Sequence, residues 1–276
     1  MRRFLLAVMM CGMTAAAHAA DLTDLPILRG GFTEGLSSSR VNWSGVYVGG
    51  SVSRGVADMN FANSGQDLLA KLLNNVDLES QFNISKWPLL GRDHASGTGF
   101  GGFVGYNFQW SDALIGIELN YTHGNLFGSS KGSQGRSFFF PTDYFSQADV
   151  SSSSSMNIKD YGSLRVRGGY AIGSFLPYGF VGVALGQADI NRRADVTLQY
   201  KYVGTQVPPK PDIPPVTYTL TDDANSHFVT GFAAGLGFDW MLCAGLFMRA
   251  EWEYLRFTST VDTTVNTARL GLGYKF

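Results

Sequence analysis

Nine ionisable residues fall at alternating positions in otherwise apolar segments: Glu118, Arg165, Arg167, Asp239, Arg249, Glu251, Glu253, Arg269 and Lys275. Charges that share a confined, partly dry space must pair, because an unpaired buried charge is costly. Catalysis needs a different arrangement, such as a histidine set against a serine or carboxylate. His123 is followed by Gly124-Asn125, which supplies no serine, and Glu118 lies a few residues away at greater depth. His94, His123 and His227 are scattered, and neither a cysteine cluster nor a His-x-x-Glu-His spacing indicates a metal site. Cys243 sits in the tight connection Trp240–Leu246 and reads as a small turn residue. The nine charges therefore read as a packed polar lining, and the chain as a non-enzyme.

The segments that carry these charges are strands. Thr267–Phe276 alternates strictly, with Ala268, Leu270, Leu272, Tyr274 and Phe276 on one face and Arg269 and Lys275 on the other. Alternation predicts seven more strands near 43–58, 96–110, 112–124, 158–173, 175–192, 226–242 and 245–260. In the third, Ile115, Ile117, Leu119 and Tyr121 oppose Glu118 and Asn120. In the seventh, Leu246, Met248, Trp252 and Tyr254 oppose Arg249, Glu251 and Glu253. The fifth does not declare its face, since both sides of Tyr178–Leu185 are apolar or glycine.

Loop lengths then separate a soluble sandwich from a membrane barrel. Tight turns near 111–112, 173–174 and 243–244 alternate with longer links near 59–95, 125–157 and 193–225, and a short one near 260–266. Outer-membrane barrels sort their loops in this way, short on the periplasmic side and long outside. The expected fold is all-β: an eight-stranded antiparallel transmembrane barrel with short periplasmic turns and long extracellular loops. Eight strands leave an interior only wide enough for side chains to fill, so a narrow solute channel is the weaker reading. Tyr274 and Phe276 would form a C-terminal assembly signal at the membrane boundary.

The rest of the chain fits export. Met1-Arg2-Arg3, an apolar run and Ala17-His18-Ala19 read as a signal peptide over 1–20. Met10 before Cys11 argues against a lipoprotein site. Residues 21–42 read as a periplasmic N-terminal segment, plug or tether, and 43–276 as the barrel. The formal net charge of −1 carries no basic stripe, which argues against nucleic acid. In the first outer link, Leu68, Leu69, Leu72, Leu73 and Val76 share one helical face, predicting a short helix that covers the barrel mouth. Ser151–Ser155 reads as a mobile loop tip and Pro208–Pro215 as an extended, proline-stiffened segment.

The opening Trp43-Ser44-Gly45-Val46-Tyr47-Val48-Gly49-Gly50 and the ending Arg269-Leu270-Gly271-Leu272-Gly273-Tyr274-Lys275-Phe276 carry a resemblance. The chain resembles the small outer-membrane β-barrel proteins of alphaproteobacteria, related to opacity-type surface antigens. That resemblance implies a bacterial outer-membrane location and roles in envelope integrity and host contact. It implies as partners outer-membrane lipid and lipopolysaccharide, periplasmic chaperones, the barrel assembly machinery and a host surface ligand. Some members bind hemin, so His94, His123 and His227 at the loop ends are the residues that could approach an iron. No cofactor is otherwise expected.

Overall fold

The computed structural model describes residues 41–74, 77–87, 90–139 and 143–276. The expected signal peptide and most of the 21–42 segment lie outside the described residues. Eight antiparallel strands close into one barrel in sequence order. They are β1 (Gly45–Asn60), β2 (Arg92–Trp110), β3 (Ala113–Phe139), β4 (Tyr144–Tyr170), β5 (Phe175–Tyr202), β6 (Ile213–Cys243), β7 (Leu246–Thr258) and β8 (Asp262–Lys275). Between β1 and β2 run α1 (Gln66–Leu72), α2 (Asp77–Phe82) and a 3-10 turn, Ile84–Lys86. β1 pairs with β8 from Tyr47↔Lys275 to Asn60↔Asp262, which seals the ring.

In its lower half the barrel turns its apolar side chains outward. Val181 and Leu270 are 64% and 60% exposed in the isolated chain, while Glu118 and Arg165 are buried in the bore. A wall of that kind requires lipid around it. The face of β5 is now fixed: Val181, Val183 and Leu185 point out, and Leu176, Tyr178 and Phe180 point in. The inward aromatics explain why alternation alone could not choose between its sides.

Two of the long links are corrected by the structure. Residues 125–139 and 144–157 are not loop but the upper parts of β3 and β4, paired up to Phe139↔Phe145. Likewise β5 and β6 continue to Tyr200↔Ile213. The four strands rise as a tall sheet beyond the last β2–β3 pair, Gly99↔Gly124. Ser151–Ser155, expected as a loop tip, lie within β4, with Ser153 paired to Lys131 on one side and Arg193 on the other. Serine has no apolar alternation to advertise, so its strand went unread. Pro214 and Pro215 fall inside β6, where residues 213–229 form an edge unpaired by β7; proline is tolerated on such edges.

Polarity inverts where the tall sheet begins. On β4, Leu164 and Val166 face out and Arg165 and Arg167 face in; higher up, Met156 and Ile158 face in. Register shifts at His123/Leu126, Ile158/Asp160 and Ala188/Ile190 mark the same level. Above that level the strands follow the rule for water, with apolar residues inside and polar ones outside. The predicted helix is α1, and it covers the inner side of the tall sheet. Leu68, Leu69 and Leu73 pack with Ile84 and Trp87 against Ala148, Val150, Ala194, Val196 and Leu198.

Candidate functional site: a lumen filled in layers

The register places complementary charges opposite each other. Glu118 faces Arg165 across β3 and β4. Asp239 faces Arg249 across β6 and β7, and Glu251 faces Arg269 across β7 and β8. A one-residue slip of any of these strands would turn its charges onto the lipid face.

The side chains then reach across the bore. Arg165 on β4 donates from Nη1 and Nη2 to the Glu251 carboxylate on β7, at 2.6 and 2.9 Å. It also donates from Nε to Glu118 Oε1 at 2.9 Å. Arg249 forks onto Asp239 at 2.8 and 3.1 Å, and its Nη1 crosses to Glu118 Oε2 at 2.8 Å. Arg167 reaches Asp239 Oδ2 at 2.7 Å. Arg269 bridges Glu251 and Glu253 at 3.0 and 2.6 Å. Among the described residues, four guanidinium groups thus meet four carboxylates, all essentially shielded from solvent.

Lys275 does not join them. It occupies the last row of β8, where the bore opens, and its Nζ donates to the Ser44 and Phe276 carbonyls. Alternation gave its face correctly but could not give its depth. Tyr274 and Phe276 lie on the outer surface as an edge-to-face pair, centroids 5.1 Å apart.

Aromatic residues that were not singled out from the sequence complete this layer. The Tyr47 hydroxyl donates to Glu118 Oε2 at 2.6 Å, and the Tyr178 hydroxyl to Glu251 Oε2 at 3.0 Å. Arg165 stacks over Phe180 at 4.1 Å, Arg249 over Phe103 at 4.0 Å and Arg167 over Tyr178 at 3.8 Å. Parity was the available signal, since Tyr47 shares a face with Ser51 and Ser53. Inward glycines make room for the rings: a Cβ at Gly235 would stand 2.4 Å from Phe180 Cζ, and one at Gly105 2.3 Å from Tyr47 Oη.

Apolar layers close the bore on both sides of the charges, so the polar lining expected for the whole interior is only its middle layer. Toward the tight turns, Trp43, Tyr47, Phe103, Leu176 and Phe247 pack together. Trp43 is held there by its backbone N–H, which donates to Gln109 Oε1 at 2.7 Å. Toward the outer end, Met59, Phe61, Met156, Ile158, Leu255, Phe257 and Val265 form a second core. An eight-stranded bore holds one side chain's depth from each wall, and here each layer uses it fully.

The histidines lie elsewhere. His123 Nδ1 is 2.7 Å from Asp160 Oδ1, which also accepts from the Tyr121 hydroxyl at 2.6 Å, on the outer surface. His94 stands 3.7 Å from Asp58, and His227 is an exposed residue of β6. Glu118 is in the bore, separated from His123 by the barrel wall. Cys243 is exposed at the end of β6. Among the described residues no group of three His, Cys, Asp or Glu side chains could hold a metal ion.

A closed antiparallel barrel, apolar outside and filled inside, defines the class: an outer-membrane β-barrel protein. The chain belongs to the outer membrane protein beta-barrel domain family, whose model matches residues 4–276. It is 25% identical over 176 residues to the 25 kDa outer-membrane immunogenic protein of Brucella ovis. That match covers 64% of this chain and 62% of the relative's length. Among solved structures it is similar to Ail, the attachment invasion locus protein of Yersinia pestis, with 14% identity, 84% of this chain and 99% of that one covered, and a TM-score of 0.32. It is also similar to Neisserial surface protein A, with 12% identity, 84% and 98% covered, and a TM-score of 0.35. These scores add nothing to the topology already described.

Proposed function

We propose that this protein is a non-conducting, non-catalytic outer-membrane barrel. It would stabilise the envelope through its lipid-facing wall and present the tall β3–β6 sheet to a host surface or the environment. One observation carries the reading: among the described residues, an ionic layer that ties opposite walls together lies between two apolar layers. The tall sheet supports the second half, because it has its own apolar core and an outer face that is mostly polar but also exposes Phe127, Phe139 and Phe145. It is a folded presentation surface rather than a set of flexible loops.

Two measurements test this. In planar bilayers, homogeneous refolded protein should give no large, stable, ohmic steps; such steps would move the solute-channel reading to first place. In a Cys243→Ala background on intact cells, an impermeant thiol reagent should label Ser153→Cys and Lys210→Cys but not Ser174→Cys. The reverse pattern would invert the orientation and overturn the presentation role.

A further inference from the structure

The tall sheet has two open edges. β2 leaves β3 at Gly99↔Gly124, and β7 leaves β6 at Thr230↔Thr258. Above those levels β3 pairs only with β4, unbroken from Leu126 to Phe139, and β6 only with β5, unbroken from Val216 to Ala224. The Ser129 N–H points out of the β3 edge, where Asp93 Oδ2 accepts it at 2.8 Å. By period two, Lys131, Ser133, Gly135 and Ser137 turn their backbone groups the same way. Among the described residues nothing accepts from those N–H groups. Such edges are usually blunted by proline, charge or a bulge, and on β6 the two prolines stand above Val216 and leave the rest open.

The two edges carry opposite charge. Above Gly124, β3 holds Lys131 and Arg136 and no carboxylate. Above Ser226, β6 holds Asp222 and Asp223, and it has no lysine or arginine along its whole length. Two of these charges point inward and are taken: Asp222 by Arg192, and Arg136 by the Trp87 ring at 4.4 Å. Lys131 and Asp223 point outward, are exposed, and make no ion pair among the described residues. Beside them on β5, Arg193 is taken by Asp195. The row of Lys131 runs through Ser153 and Arg193 to Thr221, two residues from Asp223.

The membrane decides which edges can meet, because every copy stands the same way up in it. β3 climbs away from its tight turn at 111–112, and β6 descends to its own at 243–244. Two β6 edges, or two β3 edges, could therefore meet only in parallel, with like charges brought together. β6 of one copy against β3 of the next is antiparallel, the more stable pairing, and it brings opposite charges together. It also continues the up-and-down order of the sheet from β6 into the next β3.

We propose that the β6 edge binds a second copy of this chain: Val216–Ala224 pairs antiparallel with Ser130–Phe138 of the next copy, and Asp223 faces Lys131. The inference goes beyond the presentation reading but rests on the same placement of the tall sheet outside the membrane. Nine residues on each side give about nine ladder hydrogen bonds, close to the ~10 of a specific interface. Copies already held upright in one plane have less rotational freedom to give up on association. The contact is heterologous, so a pair still offers a free edge at each end and extends into rows or rings.

The test uses the full refolded barrel in lipid vesicles, in a Cys243→Ala background. Ser133→Cys and Thr221→Cys, each two residues from its edge charge, are cross-linked with a short bismaleimide. Either variant alone should stay monomeric, their mixture should give a dimer, and the double variant a ladder. Ser137→Pro removes an edge N–H without touching the β4 pairing and should cut the ladder about fivefold, the worth of one hydrogen bond. Lys131→Glu on the Ser133→Cys copy should lower the dimer yield by up to about fivefold, as for a cross-strand charge pair. Asp223→Lys on the Thr221→Cys copy should restore it. Monomer alone from the mixture, self-cross-linking of either single variant, or a ladder unchanged by Ser137→Pro would overturn the proposal. Heat-modifiable gel migration and surface labelling of Ser153→Cys report fold and orientation separately, so lost pairing with labelling intact defeats this inference and leaves the presentation reading standing.

Discussion

Arginine–carboxylate pairs occur in two settings in this molecule. In the bore, Arg165, Arg167, Arg249 and Arg269 share four carboxylates, and all eight side chains are sealed from water. On the tall sheet, Arg193 forks onto Asp195 with similar geometry, at 2.9 Å for its closest contacts, but the arginine side chain is 56% exposed. Arg192 lies between these extremes: at 10% exposure it joins Asp67 in the first turn of α1, the Ser64 carbonyl just before that helix and Asp222 of β6. Distance is nearly constant across the series, and what changes is the medium. Charge attraction strengthens as water is excluded, and so does the cost of leaving a charge alone. The lumen pairs therefore set strand register and hold opposite walls together, whereas the sheet pairs tune a surface.

The largest effect should come from breaking a pair in the sealed layer. Glu251 accepts from Arg165, Arg269 and Tyr178. Glu251→Gln leaves positive charge uncompensated and should cost about 3–5 kcal/mol. The expected outcome is a clearly lower unfolding temperature in detergent, read as loss of heat-modifiable migration, with Ser153→Cys still labelled on cells. An unchanged unfolding temperature would mean that water reaches this layer and would remove the contrast with the surface pairs.

A lipid-face substitution measures the wall on the same scale. Leu270→Arg should cost about 2–4 kcal/mol, the penalty of arginine near the bilayer midplane of a barrel. Leu270→Ala should be much milder. Equal assembly of the two would mean that β8 does not meet lipid, and the dry medium assumed for the bore behind it would lose its support.

Arg192→Ala tests the intermediate case. Its partners lie on two separate segments, the first outer link (Ser64 and Asp67) and β6 (Asp222), so its loss should loosen that link from the tall sheet while leaving the barrel intact. The expected cost is about 1–2 kcal/mol, with faster amide exchange over 64–74 and no change in the lumen strands. Exchange that quickened throughout β3–β8 would show that the cap and barrel melt as one unit, and would break the distinction drawn here.

How much of this was legible in the sequence follows from what alternation can encode. Period two gives the side of a strand, so Glu118, Arg165, Arg167, Asp239, Arg249, Glu251, Glu253 and Arg269 were all placed on the bore face. It does not give height, which is why Lys275 was grouped with them although it sits at the open end. Nor does it give the solvent. Below the rim "apolar" means lipid-facing, and above it "apolar" means core, so Ile158 and Leu126 have the opposite meaning to Leu164 and Leu119. A reading that held one meaning throughout could not see the upper core, and it mistook Ser151–Ser155 for a loop tip. The tight turns and the α1 face were legible because a break in period and a switch to helical spacing are local signals.

The smallest effect should come from the most exposed pair. The Arg193 guanidinium, hydrogen-bonded to Asp195, holds that carboxyl below its ordinary value of about 3.8, and the Thr219 hydroxyl assists. A depressed carboxylate contributes stability that is present above its unfolded pKa and disappears as pH falls through the folded one. The window therefore lies below about pH 4, and lowering pH from 7 to 5 should change nothing here. Because the pair faces water, its contribution is small, and salt should screen it. Amide exchange across Asp195–Thr219 should quicken modestly when pH drops toward 3, after correction for intrinsic rates. Asp195→Asn should abolish that response while the lumen strands stay protected. A response as large as that of Glu251→Gln, or one insensitive to 1 M salt, would mean that the tall sheet is shielded from solvent in the membrane. The two settings would then be one.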